Sequence, residues 1–168
     1  GLGVAPNQIT DVFGIFKAYC TRVGSGPFPT ELNDEVGEHL GRVGNEFGAT
    51  TGRARRCGWI DLPALKYAIN INGVTQLMMM KSDVLSGINK IKVCTHYLNS
   101  NNEKIDYLPF EDYESLTPVY EEIDGWEKNL MKINNLQEAP IQVHNYIKYL
   151  ENHLDVPIKI ISVGPDRK

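Results

Sequence analysis

The chain has 168 residues, of which 42% are hydrophobic and 23% charged, close to the composition of an average soluble globular protein. This length predicts a single unit over residues 1–168 with one substantial core. The formal net charge of -4 excludes the broad basic surface that nucleic-acid or membrane-surface binding requires, so we expect neither partner.

Three helical segments are expected in the first half of the chain. Apolar residues at helical spacing predict an amphipathic helix over residues 7–23, followed by a glycine- and proline-rich loop. A shorter helix is predicted over residues 34–42, closed by Gly44. A third helix is predicted to start at Asp61, which caps it, and to end at the Asn-Gly pair of residues 72–73.

The second half of the chain contains most of the predicted strands. Residues 75–80 are a short apolar run, which predicts a buried strand that delivers the polar residues 81–83 to a sheet edge. Further strands are predicted over residues 91–98, over residues 105–123 as a peripheral meander, and over residues 157–161 after a helix at residues 140–153. The pattern indicates an α/β protein, in which ligands bind at the carboxyl ends of strands.

The titratable residues outside the loops provide few signs of a site. Cys20, Cys57 and Cys94 are odd in number and lack metal-ligand spacing, which predicts reduced thiols and no zinc. The four histidines lie inside predicted elements, without a neighbouring nucleophile, and a surface or core role is expected for them. Glu31 and Glu46 flank loops, where a lone carboxylate is more often a helix cap or an ion-pair partner.

Two features bear on location and completeness. Apolar stretches fall short of the ~20 residues that a membrane helix needs, and no charged-then-apolar leader is present, which predicts a cytoplasmic protein. The chain begins at Gly1 without methionine, and we expect it to be part of a longer protein.

The segment 48–59, which we call the arginine loop, places three arginines and two adjacent threonines between glycines. The glycines are Gly48, Gly52 and Gly58, and the arginines are Arg53, Arg55 and Arg56. Glycines let a backbone approach a ligand closely, and guanidinium groups pair in bidentate fashion with carboxylate or phosphate. The segment predicts a site for a small anion, and the alternative is a solvated basic turn.

Two turns after predicted strands are candidates for reading a guanine base. Lys81-Ser82-Asp83 is a short form of the lysine-x-aspartate with which GTP-binding proteins recognise guanine. A carboxylate accepts two hydrogen bonds from the ring N–H and the exocyclic amine, while the lysine stem lies along the base and its ammonium stays in water. Residues 162–164 could offer backbone groups and a hydroxyl to the same base. Ordinary turns are the alternative at both places.

Four segments together resemble the adenylosuccinate synthetase family, in the family's order along the chain: residues 22–31, 46–59, 81–87 and 162–167. The run Phe-Gly-Ala-Thr-Thr-Gly-Arg-Ala-Arg-Arg-Cys-Gly-Trp is the most specific of them. The resemblance covers essentially the whole chain. It implies an α/β fold that forms the carboxy-terminal part of a larger mixed α/β sheet protein resembling P-loop GTP-binding folds.

The resemblance also implies an activity. Members of the family are GTP-dependent ligases that join inosine monophosphate (IMP) to L-aspartate, with GTP as co-substrate, Mg²⁺ as cofactor and a homodimeric assembly. GTP phosphorylates the purine 6-oxygen, and the aspartate amine displaces that phosphate. The phosphate loop, the magnesium ligands and the acid–base residues belong to an amino-terminal part that has no counterpart here. We therefore expect the isolated chain to be inactive.

The resemblance assigns ligand contacts residue by residue. The aspartate-binding loop comprises Ala49, Thr50, Thr51, Gly52, Arg53, Ala54 and Arg55. IMP is contacted by Arg53 and Val23, and GTP by Arg55, Lys81, Ser82, Asp83, Ser162, Val163 and Gly164. The turn departs from the usual Thr-Lys-Leu-Asp, since Met80 and Ser82 replace the threonine and leucine. Two alternatives remain: a non-enzymatic module that binds a guanine nucleotide or a protein partner, and an arginine loop that serves only as an interface.

Overall fold

The computed structural model describes residues 3–133 and 135–165, so the first two residues and residues 166–167 of the last resembling segment lie outside it. Within these residues the α-helices are α1 (Glu35–Val43), α2 (Leu62–Asn72) and α3 (Ile141–Leu154). The strands are β1 (Phe13–Lys17), β2 (Cys20–Arg22), β3 (Arg56–Gly58), β4 (Ile60–Asp61), β5 (Gln76–Met80), β6 (Lys90–Leu98), β7 (Lys104–Ile105), β8 (Thr117–Asp124) and β9 (Ile158–Ile161). The α/β class is confirmed.

The strands form three sheets. In the first, β5 lies between β1 and β9 and both pairings are parallel, so the carboxyl ends of the three strands meet at one edge. In the second, β2 pairs with β3 in antiparallel fashion. The third is mixed: β6 pairs in parallel with β4 and in antiparallel fashion with β7 and β8. The first two sheets carry the predicted ligand-binding segments.

The caps of α1 and α2 agree with the sequence. The Asp34 carboxylate accepts a hydrogen bond from the Gly37 amide at the start of α1, and Asp61 accepts one from the Ala64 amide at the start of α2. At the end of α2, Gly73 adopts the left-handed conformation with φ 59°. These local devices satisfy backbone groups that a helix end leaves free, which is why the sequence alone located both helices.

The predicted helix over residues 7–23 is wrong. The structure has a short 3-10 turn at Pro6–Gln8 and then β1 and β2. β1 pairs with β5 from Phe13 opposite Gln76 to Lys17 opposite Met80. The strand partner lies about sixty residues away, so local spacing could not reveal it, and Gly14 weakens the helical alternative. The meander predicted over residues 105–123 is only partly right, because β7 and β8 are separated by a long connection containing a 3-10 turn at Tyr113–Ser115.

The main core lies where the first sheet packs with α2 and α3 and continues into β6. Its fully buried side chains include Leu77, Met79, Tyr146 and Leu150. On the first sheet, Ile15 and Ile160 nevertheless remain 70% and 48% exposed. In the part of the chain that the structure describes, no helix is long and apolar enough to cross a membrane.

Candidate nucleotide and aspartate site

The two predicted guanine turns lie side by side. Residues 81–83, the Lys81 turn, follow β5, and residues 162–164, the Ser162 turn, follow the neighbouring parallel strand β9. The fully buried Ser82 donates from its hydroxyl to the Ser162 carbonyl at 2.6 Å, and its amide donates to the same oxygen at 3.2 Å. Parallel pairing brings consecutive strand ends to one edge, and these hydrogen bonds join the two turns there.

Lys81 is held by both its backbone and its side chain. Its φ of 60° and ψ of 34° are left-handed, a conformation that is uncommon for a residue with a Cβ and that accumulates at ligand sites. The ammonium donates to the Gly44 carbonyl and, at 2.9 Å, to the Glu46 carboxylate. The sequence predicts an ammonium that stays in water; two protein acceptors bind it, and the side chain remains 34% exposed.

Asp83 is half-buried, and its carboxylate forms no hydrogen bond or ion pair with another side chain of the described residues. Burial raises the pKa of Asp83, while its own backbone amide and the Lys81 charge act in the opposite direction. A partly desolvated carboxylate without a side-chain partner can accept hydrogen bonds from a ligand. Lys81 is bound elsewhere, so no side chain of the described residues engages the Asp83 oxygens.

The arginine loop has an exposed tip on an anchored base. The Gly48 amide donates to the Arg53 carbonyl, and the Gly52 amide donates to the Gly48 carbonyl, both at 2.8 Å. Gly52 has a φ of 65°, which a residue with a side chain rarely adopts. Residues 49–54 are exposed, and the Arg53 guanidinium has no partner among the described residues. The tip therefore presents one unengaged cation to solvent.

The end of the arginine loop is structural. Arg56 makes a bidentate ion pair with Glu31, at 2.6 Å from Nε to Oε1, and also donates to the Gly24 and Gly26 carbonyls. A Cβ on Gly58 would overlap the Thr30 carbonyl, so this glycine serves strand packing. Arg56 and Gly58 are thus both engaged by the protein itself. Glu31 is an ion-pair partner, as expected.

One buried carboxylate joins the base of the loop to the Lys81 turn. Glu46 has no exposed surface, and its partners come from three separate segments. The Glu46 cluster consists of Glu46 with Lys17 at 2.8 and 2.9 Å, Tyr19 at 2.7 Å, Arg55 at 2.8 Å and Lys81 at 2.9 Å. Two lysines and an arginine face a single carboxylate, which leaves a net charge of +2. Such an excess attracts anions.

The protonation of the cluster follows from these contacts. Burial by itself would raise the pKa of Glu46, but hydrogen bonds from Lys17, Tyr19, Lys81 and Arg55 lower it to about 2. The carboxylate is thus ionised at neutral pH. Burial, and then the hydrogen bond to Glu46, raise the pKa of the Tyr19 hydroxyl, which stays a donor.

Sequence reasoning missed two members of the cluster and the role of a third. Lys17 and Tyr19 lay inside the erroneous helix, where they had no visible link to a loop. For Glu46 the sequence predicts only a helix cap or an ion-pair partner. The one signal that could have located Lys17 is its position at the carboxyl end of a strand, and that requires β1 to be recognised first.

The other predicted ligand contacts are Val23 and the last two residues of the Ser162 turn. Val23 is 73% exposed and directly follows β2, whose pairing of Arg22 with Arg56 puts it beside the base of the arginine loop. In the Ser162 turn, Val163 and Gly164 are half-buried, and the Gly164 carbonyl accepts from the Ser162 hydroxyl at 3.2 Å. Over residues 3–133 and 135–165, no group of three or more His, Cys, Asp and Glu side chains could hold a metal ion.

Comparison with known proteins identifies the family. The family model described as adenylosuccinate synthetase matches residues 1–168. Curated adenylosuccinate synthetases of Flavobacterium johnsoniae and Christiangramia forsetii are 59% and 60% identical to the chain over 169 residues, which is 100% of this chain and 40% of each relative. A solved structure described as fully ligated adenylosuccinate synthetase from Plasmodium falciparum has a TM-score of 0.94 at 41% identity, over 99% of this chain and 40% of that one. This chain belongs to the adenylosuccinate synthetase family.

Proposed function

We propose that this chain supplies the guanine-binding turns and the aspartate-binding loop of a GTP-dependent ligase that joins IMP to L-aspartate and forms adenylosuccinate. The chain spans about two-fifths of the relatives it matches, so the complete reaction needs residues beyond it. Family membership supports the reaction. The observation that carries the residue assignment is the hydrogen-bonded meeting of the Lys81 and Ser162 turns beside the Asp83 carboxylate.

The guanine base would lie at the shared edge of these turns. The two Asp83 oxygens accept from the ring N–H and the exocyclic amine, a donor pair that adenine lacks on the corresponding edge. Lys81, held by Glu46, lies beside the base, and residues Ser82 and 162–164 line the same position. A purine without the amine leaves one hydrogen bond to Asp83 unmade, which weakens binding about tenfold or more.

The aspartate substrate carries two carboxylates, and the loop offers two guanidinium groups of different kinds. Arg53 is unengaged and exposed, while Arg55 is anchored on Glu46. Pairing with both would orient the amine toward the activated purine carbon and reduce the orientational entropy lost on reaching the transition state. Arg53 also contacts IMP in this proposal, together with Val23, and Arg55 lies between aspartate and GTP.

Several parts of the proposal concern the whole protein. We place the magnesium ligands in the part of the relatives that this chain does not span, and the roles proposed for its own residues do not involve the metal. A homodimer and a cytoplasmic location also belong to the proposal. The net charge of -4 supports the absence of a nucleic-acid partner.

The experiment compares GTP with inosine triphosphate, which lacks the exocyclic amine, in a full-length synthetase that contains this chain. The intact enzyme is expected to prefer GTP about tenfold or more in kcat/KM, and Asp83→Asn to remove that preference. Asp124→Asn is the matched control, because Asp124 is an exposed partner of Lys90 away from the turns. A preference for GTP that survives in Asp83→Asn would refute the guanine assignment.

A second measurement separates the ligase segment from an autonomous nucleotide-binding module. Calorimetry of the isolated chain with GTP and ATP is expected to show no tight binding, since the proposed ligands also need residues beyond this chain. Tight, guanine-selective binding would favour the module instead.

A further inference from the structure

Glu46 is shared between two regions that hold different ligands in the proposed function. Its Oε2 accepts from Arg55 of the arginine loop, and its Oε1 accepts from Lys81 of the guanine-binding edge. Lys17 bridges both oxygens. The three cationic side chains are 27–34% exposed, so each can reach a ligand without unfolding of its segment.

We propose that Glu46 is a positioning residue that couples the arginine loop to the Lys81 turn, so that a dicarboxylate bound at one raises the affinity for a guanine nucleotide at the other. This inference rests on the proposed function, because it takes its two ligands from there. Glu46 itself need not touch either ligand, and it acts through the cations that it holds.

The coupling follows from competition for one negative charge. A ligand carboxylate that pairs with Arg55 draws this guanidinium away from the Glu46 Oε2. The ion pair between Arg55 and Glu46 is thereby weakened. More of the carboxylate charge is then available to Lys81, whose ammonium also donates to the Gly44 carbonyl. The lysine becomes more firmly ordered beside the guanine position, and the nucleotide loses less side-chain entropy on binding.

A second carboxylate near the arginine loop provides the contrast. The Glu31 carboxylate makes a bidentate pair with Arg56, but it accepts no hydrogen bond from the Lys81 turn. Both glutamates therefore anchor the loop through an arginine, and only Glu46 also reaches the second region. A purely structural role predicts similar results for the two, whereas coupling predicts a difference.

The test measures the dissociation constant of GDP with and without L-aspartate in the full-length synthetase, with IMP saturating throughout. In the wild type, aspartate is expected to tighten GDP binding by about fivefold or more, a typical coupling between two sites. Glu46→Gln keeps the shape of the side chain but removes its charge, and the ratio is expected to fall to about one. Glu31→Gln is expected to keep the wild-type ratio even where its midpoint of thermal unfolding falls.

The results distinguish a failure of the coupling from a failure of the proposed function. An unchanged ratio in Glu46→Gln, or a ratio near one in the wild type, overturns the coupling while leaving the ligand assignments intact. If Asp83→Asn leaves GDP affinity unaltered, the proposed guanine site itself fails. Should Glu46→Gln not fold, Lys81→Met decides: it removes the ammonium that receives the released charge, and a ratio that stays at the wild-type value contradicts the coupling.

Discussion

The tip of the arginine loop and the Lys81 turn are held in place in very different ways. The tip is exposed and is closed mainly by hydrogen bonds of its own backbone, and Arg53 has no partner among the described residues. The Lys81 turn contains the fully buried Ser82, is bonded to the neighbouring strand end, and has its lysine fixed by two acceptors.

This difference indicates how the two sites would bind. The backbone of the turn is hydrogen-bonded to the neighbouring strand end before any ligand arrives, so little backbone entropy would be lost when a base binds there. The exposed tip leaves the Arg53 guanidinium available to a ligand, which would suit a loop that closes on a small dicarboxylate. Glu46 lies at the boundary, since its carboxylate pairs with Arg55 at the base of the loop and with Lys81 of the turn.

The largest effect is expected in the arginine loop. Arg55→Leu in the full-length enzyme should lower kcat/KM for aspartate about a thousandfold and also destabilise the fold, because Glu46 loses a partner. Arg53→Leu should lower kcat/KM about a hundredfold without changing the free energy of unfolding. Steady-state kinetics and denaturant unfolding of both variants test this, and equal destabilisation by the two would contradict the described anchoring.

The next effect concerns the boundary between the two regions. The pKa of Glu46 is lowered from 4.5 to about 2, so its contribution is present above its unfolded-state pKa and is lost as pH falls through the folded value. This contribution corresponds to about 3 kcal/mol of unfolding free energy. Between pH 5 and pH 2, the denaturation midpoint of Glu46→Gln should vary less with pH than that of the wild type. Parallel curves would show that the carboxylate is not stabilised as described.

A smaller effect is expected within the ordered region. Ser82→Ala removes the hydroxyl bond to the Ser162 carbonyl but leaves the amide bond to the same oxygen, so a loss of about 1 kcal/mol is expected. The KM for GTP should rise while the KM for aspartate stays constant. Ser86→Ala is the control, since that buried hydroxyl has no hydrogen-bond partner among the described residues, and its loss should not destabilise.

The smallest effect has the opposite sign. Burial raises the pKa of Asp83, so the contribution of this carboxyl to stability is greatest below its unfolded-state pKa and is lost as pH rises through the folded value. Asp83→Asn should therefore be as stable as the wild type at pH 7, or more stable by up to about 1 kcal/mol, although guanine selectivity is lost. Thermal unfolding at pH 4 and pH 7 measures this, and a clear decrease in stability at pH 7 would mean that Asp83 has a structural partner.

The elements that the sequence located correctly are those whose signals are local. A capping aspartate and a terminal glycine define α2, and an apolar run followed by polar residues defines β5 and the turn after it. The ligand roles of the turns and of the loop stay predictions, supported by family membership and by their placement. The cap of α2 and the end of β5 can be predicted from sequence because the residues that form each of them lie within a few positions of one another along the chain.

By itself, then, the sequence determined the family, the α/β class and the helix caps, and it predicted the segments that bind ligands. Only the tertiary structure decided which charged side chains form ion pairs with one another. In the folded chain the segment with helical spacing forms β1, and Arg56 pairs with Glu31. Lys17, Arg55 and Lys81 all pair with Glu46. The physical reason is distance along the chain. A buried carboxylate pairs with the side chains that the packed strand ends and loops bring within about 3 Å of it. These side chains are far apart in sequence, so local spacing cannot predict the pairing.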